Sequence, residues 1–337
     1  MTDAEQPPAD LHAPNADEGA ARRQLRRHPL VARLFAAARV LVIVLVVGVV
    51  AGVVYRDWTA VSATLGKLSP GTLVLALVLA QVGLFSTVMT WRHLLAALGS
   101  PLRVPFAGQV FLTGQLARYL PGSVWAFLLQ AQLAQRYDVP RARSLLAVLL
   151  AVGVTTVTGL TIAVVAVPAL VAQWGPATWL LLAGPLTLIF LVPRLLTLVS
   201  NIALRVLRRP RLTAPIPGRP VALAAGWAVL SWLCMGAHLW VLAASAGVGA
   251  TELPLVTATF SLAVCAGFLA FVLPSGVGVR EAVLVAGLST VLPAGAALAL
   301  ALVSRLLCTT ADVLGAAGAM VAAKLADRGQ GGAVDSR

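Results

Sequence analysis

The sequence predicts an all-α, polytopic membrane protein: about six full transmembrane helices plus two re-entrant broken hairpins, arranged as an inverted repeat. Three observations carry this. Of 337 residues 59% are hydrophobic and only 11% charged, where a soluble domain carries about 25% charge. Several mostly apolar runs reach the roughly 18 residues that mark a membrane span. Finally, Leu120-Pro121-Gly122-Ser123-Val124 returns 153 residues later as Leu273-Pro274-Ser275-Gly276-Val277, and both copies interrupt apolar sequence. Alternating strands of about ten residues, the pattern of an outer-membrane barrel, are absent.

Residues 1–34 form an acidic tail and a basic approach to the first apolar run. Met1 to Ala20 holds Asp3, Glu5, Asp10, Asp17 and Glu18, three prolines and no Lys or Arg, too polar to bury a core. Arg22, Arg23, Arg26, Arg27, Arg33 and Arg39 follow and anchor a retained first span, Ala37 to Tyr55, on the cytoplasmic side. The integral membrane domain covers 35–325, with repeat halves of about 35–172 and 173–325. A short amphipathic segment, Asp57 to Leu68, lies outside. The second span, Thr72 to Leu95, returns.

Pro105 to Arg136 is the first broken unit. A straight helix here would hold Pro121 and Gly122 at its centre, at costs of about 3 and 1 kcal/mol. Each half is about fifteen residues, too short for a core of about 30 Å. Arg92 and Arg103 before it and Arg136, Arg141 and Arg143 after it belong in one compartment. A hairpin entering from the cytoplasm and returning satisfies both facts, since irregular backbone is tolerated where it faces protein or a wet cavity. A kinked helix within a bundle is the other reading.

The third span, Leu145 to Val171, goes out, and the fourth, Thr178 to Val192, comes back. Arg194 to Arg209 is amphipathic and suits the cytoplasmic interface near anionic lipid. The fifth span, Val221 to Ala244, goes out. Pro254 to Leu292 is the second broken unit, entering from outside. The sixth span, Ala296 to Ala322, returns, and 326–337 is a cytoplasmic tail. Both termini are then cytoplasmic in a cell-membrane protein. Of 25 Lys and Arg, 20 fall on the cytoplasmic side, as the positive-inside rule requires. The same placement accounts for the net charge of +13. With no aromatic-interleaved basic patch, nucleic acid is excluded as a partner.

The offsets between the halves are regular. The second and fifth spans, the two broken units, and the third and sixth spans all start about 150 residues apart, and each pair runs in opposite directions. In transporters such a repeat puts a site at mid-membrane between two broken elements.

Five charges lie at membrane depth: Arg118, Arg280, Glu281, Arg305 and Asp312. Each costs roughly 2.5–3.5 kcal/mol at a helix centre, so they are paired, hydrated or matched by a ligand. Arg305, Thr309 and Asp312 share one helix face, and Glu281 sits where a carboxylate suits a helix N-terminus. Two readings stay open. In one the charges are structural pairs. In the other, three arginines against two carboxylates leave a positive site, helped by backbone N–H groups at the breaks, for an anionic headgroup or lipid-linked phosphate. The residues of that site are Arg118, Gln115, Pro121, Gly122, Ser123, Pro274, Gly276, Gly278, Arg280, Glu281, Arg305 and Asp312.

No catalytic group, metal-ligand cluster or cofactor motif stands out. Gly276-Val277-Gly278 follows no strand, so it is not a nucleotide loop. His93 and His238 stand alone as packing or interfacial residues, and Cys234, Cys265 and Cys308 are widely spaced packing residues.

The stretches 114–142, GQLARYLPGSVWAFLLQAQLAQRYDVPRA, and 273–284, LPSGVGVREAVL, resemble the lysylphosphatidylglycerol synthase transmembrane family, related to the flippase half of the multiple peptide resistance factor. The second is similar to the family's Pro-Gly-Gly-x-Gly-x-x-Glu pattern, with Pro-Ser-Gly in place of Pro-Gly-Gly. The resemblance covers about 35–325. It implies re-entrant hairpins and, in one branch, transbilayer movement of an aminoacylated phospholipid. Carried over by residue, it points to Arg118, Pro121, Gly122, Pro274, Gly276, Gly278 and Glu281. The aminoacyl-tRNA-using domain of the full synthase has no room after Asp327, so the expectation is the membrane half alone. The functional expectation is a lipid or lipid-linked-intermediate transporter. Its alternatives are a non-transporting accessory subunit of envelope lipid or polysaccharide synthesis, partnered by an envelope-biosynthesis enzyme, and an integral membrane transferase. The sequence leaves the oligomeric state open.

Overall fold

The computed structural model describes residues 52, 55–56, 58–119, 125–206, 211–212, 214–269, 276 and 278–334. The acidic tail, nearly all of the expected first span and both hairpin tips, with Pro121, Gly122, Ser123 and Pro274, lie outside the described residues. All regular structure among these residues is helical. The helices are α1 (Trp58–Gly66), α2 (Pro70–Ala97), α3 (Val104–Leu116), α4 (Trp125–Ala134), α5 (Arg141–Ala163), α6 (Val167–Trp174), α7 (Pro193–Val206), α8 (Gly218–Ser245), α9 (Leu253–Leu269), α10 (Val279–Leu288) and α11 (Ala294–Val334), with a 3-10 helix over Pro176–Leu191. Five described segments are long and apolar enough to cross a membrane: Pro70–Ala97, Arg141–Val171, Gly218–Ser245, Ala250–Phe268 and Ala294–Arg328. The 3-10 helix and α7 make a sixth if counted together. The protein is a multi-pass membrane protein.

The helices form where apolar runs meet stop and start residues. Ser69 caps α2, its hydroxyl accepting from the Thr72 N–H at 3.1 Å, with Pro70 at the first position, where its missing N–H costs nothing. Asp138, at φ 58°, ends the turn after α4, and Arg141 then begins α5.

α2 and α8 cross antiparallel at the centre. The Ser231 hydroxyl donates to the Gly83 carbonyl at 2.8 Å, and Thr90 donates to the Ala224 carbonyl at 3.3 Å. Gly83 permits the approach, since a Cβ there would lie 2.9 Å from Met235. Each contact between helices in one half has a counterpart when α2, α3, α4 and α5 are exchanged for α8, α9, α10 and α11. Thus α3 packs on α4 and on α11, while α9 packs on α10 and on α5; α4 packs on α5, and α10 on α11.

Directions follow from the short loops. Six residues separate α2 from α3, and seven separate α8 from α9. Because α2 and α8 are antiparallel, the two hairpins enter from opposite faces of the bundle, as an inverted repeat requires. α3 also runs antiparallel to α11, with Gly108 against Ala319 and Arg118 against Asp312. The face where α2 and α11 end and α5 and α8 begin carries Arg103, Arg136, Arg141, Arg143, Arg219, Lys324 and Arg328. The opposite face carries Lys67 and Glu252.

Three elements differ from expectation. The fourth span is a 3-10 helix of 16 residues, where runs beyond a few residues are uncommon. At about 2.0 Å per residue it covers about 32 Å, enough to cross, whereas an α-helix of that length reaches about 24 Å. Gly184 lets it lie against the Leu160 carbonyl of α5, where a Cβ would approach to 2.6 Å. The chain then turns by 86° into α7, which packs through Leu196 and Leu204 beside Ile216 and Val221, at the basic face. The sixth helix does not stop at Ala322; α11 runs on through the expected tail to Val334. Finally, the first arm of the second hairpin, Ala250–Phe268, is by itself long and apolar enough to cross a membrane. The chain still turns back, because α10 packs on α9 and Gly276 lies against Gly267.

The core is divided by depth. One apolar cluster gathers Trp91, Leu94, Val110, Leu146 and Ala228 near the basic face; the other gathers Leu170, Leu239, Phe260, Leu284 and Leu300 toward the opposite face. On α5 the first cluster ends at Val154 and the second begins at Ala163. The polar layer containing the five deep charges lies between them.

Candidate functional site

The site is a cavity of about 530 Å³ enclosed by both hairpins and by α2, α5 and α11. A smaller cavity of about 120 Å³ adjoins it and shares Gln115, Arg118, Arg280 and Cys308 as walls. Phe111, Phe127, Val148, Val152, Val264 and Phe268 make the large cavity mostly apolar. Its polar lining comes from Gln115, Gln130, Thr155, Thr156, Thr309 and the guanidinium groups of Arg118, Arg280 and Arg305.

Hairpin one is tied to α11 through charge. After α3 the chain tightens into a 3-10 turn, Ala117–Tyr119, which aims Arg118 and Tyr119 at α11. Arg118 Nη2 pairs with Asp312 Oδ2, and the Tyr119 hydroxyl donates to the same oxygen. Arg118 Nη1 donates to Gln115 Oε1 at 2.6 Å. Asp312 is buried, at 4% exposure, while the Arg118 side chain is 33% exposed. A buried carboxylate needs such partners, because a charge left alone away from water is costly.

Hairpin two is tied to the same helix by the opposite polarity. Glu281 Oε1 lies 3.4 Å from Arg305 Nη1, while its Oε2 accepts from the Gly278 N–H at 2.7 Å. The second contact closes the N-terminus of α10, as the sequence position of Glu281 suggested. Gly278 can serve as N-cap because its φ is +89°, a region that side chains rarely adopt. Gly276, at φ +65°, sits so close to Gly267 that a Cβ would lie 2.6 Å from its Cα.

Arg280 differs from the other two arginines. It faces no carboxylate among the described residues. Its guanidinium stacks over Phe260 with 5.0 Å to the ring centroid, and Nη2 donates to Cys308 Sγ at 3.6 Å. Its Nε is buried without a hydrogen-bond partner. The two carboxylates at depth are engaged by Arg118 and Arg305, so Arg280 supplies the positive charge that the cavity wall leaves unbalanced.

The structure thus gathers Gln115, Arg118, Gly276, Arg280 and Arg305 on the large cavity and Asp312 on the small one. Glu281 stands behind Arg305, and Gly278 caps the helix that carries both Arg280 and Glu281. Sequence reasoning left out Tyr119, Gln130, Phe260, His238 and Cys308. Tyr119 could have been found beside Arg118 in the broken motif. The others carry no local mark; His238 and Cys308 stand 70 residues apart and meet only in the fold.

No curated protein matches the chain. A family model described as lysylphosphatidylglycerol synthase TM region matches residues 36–314, a span that contains both hairpins, both ion pairs and the cavity. The chain belongs to the lysylphosphatidylglycerol synthase TM region family.

Proposed function

We propose that this protein moves a lipid, or a lipid-linked envelope intermediate, with an anionic head between the two leaflets of the cell membrane. The observation that carries the reading is Arg280: a cation with no carboxylate opposite it among the described residues, on the wall of a largely apolar cavity shared by two hairpins that enter from opposite faces. An amphiphile needs both parts, apolar walls for the chain and one desolvated cation for the head. Membership of the family supports a role in lipid modification or transport.

Arg118 and Arg305, with Asp312 and Glu281, hold the two hairpins against α11 while Arg280 meets the head. This refines the first expectation, in which Arg118 and Arg280 shared that task. The basic face is cytoplasmic by the positive-inside rule, which places the C-terminal end of α11 in the cytoplasm.

The test is movement of fluorescent anionic and zwitterionic phospholipids across proteoliposomes. Wild type moves the anionic lipid faster, and Arg280→Gln loses that preference while keeping its fold. Arg118→Ala and Glu281→Gln slow both lipids by loosening the ties of the hairpins to α11. If folded wild-type protein moves neither lipid, the transport reading fails for phospholipids, and a lipid-linked sugar or an accessory role beside an envelope-biosynthesis enzyme takes its place.

A further inference from the structure

Cys308 has polar neighbours as well as apolar ones. It lies on α11 one turn beyond Ser304, so the two residues share a helix face. That face meets His238 of α8. The ring Nδ1 of His238 contacts the Met235 carbonyl, an acceptor only, so Nδ1 carries the proton and Nε2 offers its lone pair. Ser304 Oγ lies 2.9 Å from Nε2 and Cys308 Sγ lies 3.9 Å from it. On its other side Cys308 receives Arg280 Nη2 at 3.6 Å. Phe260 fixes both neighbours, edge-on to the His238 ring at 5.2 Å and beneath the Arg280 guanidinium. Base, thiol and cation therefore come from three helices, and the thiol opens on both cavities.

We propose that Cys308 is a covalent modification site for apolar electrophiles that enter the cavity from the bilayer, chiefly α,β-unsaturated aldehydes of the kind released when lipid chains are oxidised. The thiolate is the attacking species. His238 Nε2 takes the thiol proton, and Arg280 stands beside the sulfur while it is negative. Sγ bonds to the β-carbon of the enal, the double-bond electrons move to the α-carbon, and His238 returns the proton there. The product is a thioether; no group leaves and no oxidant is consumed. Apolar walls admit the hydrocarbon chain, so long-chain enals are the matched class. Under the transport reading the adduct also fills the lipid path, but the labelling itself does not rest on that reading.

The other two cysteines provide internal controls. Cys234 is more exposed than Cys308, and Cys265 is fully buried, its sulfur 3.8 Å from the Thr156 carbonyl and against Gly159. Neither has a base and a cation beside it among the described contacts.

The experiment is mass spectrometry of the three cysteine peptides from full-length protein in lipid nanodiscs exposed to trans-2-nonenal. Cys308 should be modified about tenfold faster than Cys234 or Cys265, because reactivity follows thiolate formation rather than exposure alone. His238→Gln and Arg280→Gln, checked for helical content, should each bring Cys308 down toward the other two. Fastest labelling at Cys234 would overturn the proposal, since exposure would then decide. So would an unchanged Cys308 rate in a folded His238→Gln variant. If that variant does not fold, the ranking of the three wild-type cysteines still decides.

Discussion

Removing the negative charge at Asp312 without changing its shape should uncouple hairpin one from α11. In Asp312→Asn the Tyr119 hydroxyl keeps an acceptor, and Arg118 keeps Gln115 at 2.6 Å, but the guanidinium loses its counter-charge at depth. Breaking a fully buried pair from one side costs about 3–5 kcal/mol. The Arg118 side chain is one-third exposed, so water recovers part of that cost, and an exposed pair is worth at most about 1 kcal/mol. The expected loss is therefore about 2 kcal/mol, close to thirtyfold in the unfolding equilibrium. The assay is unfolding by SDS in mixed micelles, followed by helical circular dichroism, on wild type, Asp312→Asn, Arg118→Gln and the double variant. The double variant should lose less than the two single losses combined, because the second change removes a charge already stranded. Additivity within about 0.5 kcal/mol would show that the two residues are not coupled, and the account of the hairpin tie would fall.

In the same assay Glu281→Ala should lose about 1 kcal/mol more than Glu281→Gln, because glutamine can still accept from the Gly278 N–H that closes α10; equal losses would show that the cap contributes nothing. Gly236→Ala and Gly287→Ala should each cost about 1–3 kcal/mol, since a Cβ would lie 2.3 Å from Thr257 and 2.2 Å from Thr259 respectively. Gly226→Ala, which meets open space, should instead gain about 0.5–1 kcal/mol from helix propensity; a loss there would contradict the packing described. Single cysteines at Arg103 and Lys67, in a background with the three native cysteines changed to serine, should react with a membrane-impermeant thiol reagent from opposite sides. Reaction from the same side would overturn the orientation of α2.

The repeat was legible because proline and glycine leave a mark that packing does not erase. The Leu-Pro breaks, the regular spacing and the paired basic loops fixed the hairpins and their opposite entry. The five deep charges stood out because charge is rare in an apolar run, and Glu281 announced its own cap. What stayed hidden was pairing at long range. Nothing beside Arg118 names Asp312, 194 residues away, and three arginines against two carboxylates did not say which arginine would be left. His238 and Cys308 looked like packing because each stands alone in its helix. The 3-10 form of Pro176–Leu191 was equally silent. Its composition reads as a short span, and only its length against the thickness of the bilayer shows why a more extended helix suits it.

The two ties share a consequence. Both end on α11, at Arg305 and Asp312, two turns apart, whereas α5, its partner under the exchange of halves, carries no charge beyond Arg143. The helix contacts of the two halves correspond, but the charge on these two helices does not. A rearrangement in which the halves swap roles would break contacts on α11 that have no equivalent waiting on α5. Under the transport reading the two end states would then differ in free energy. A ligand that does not favour one state over the other would leave their populations where they are.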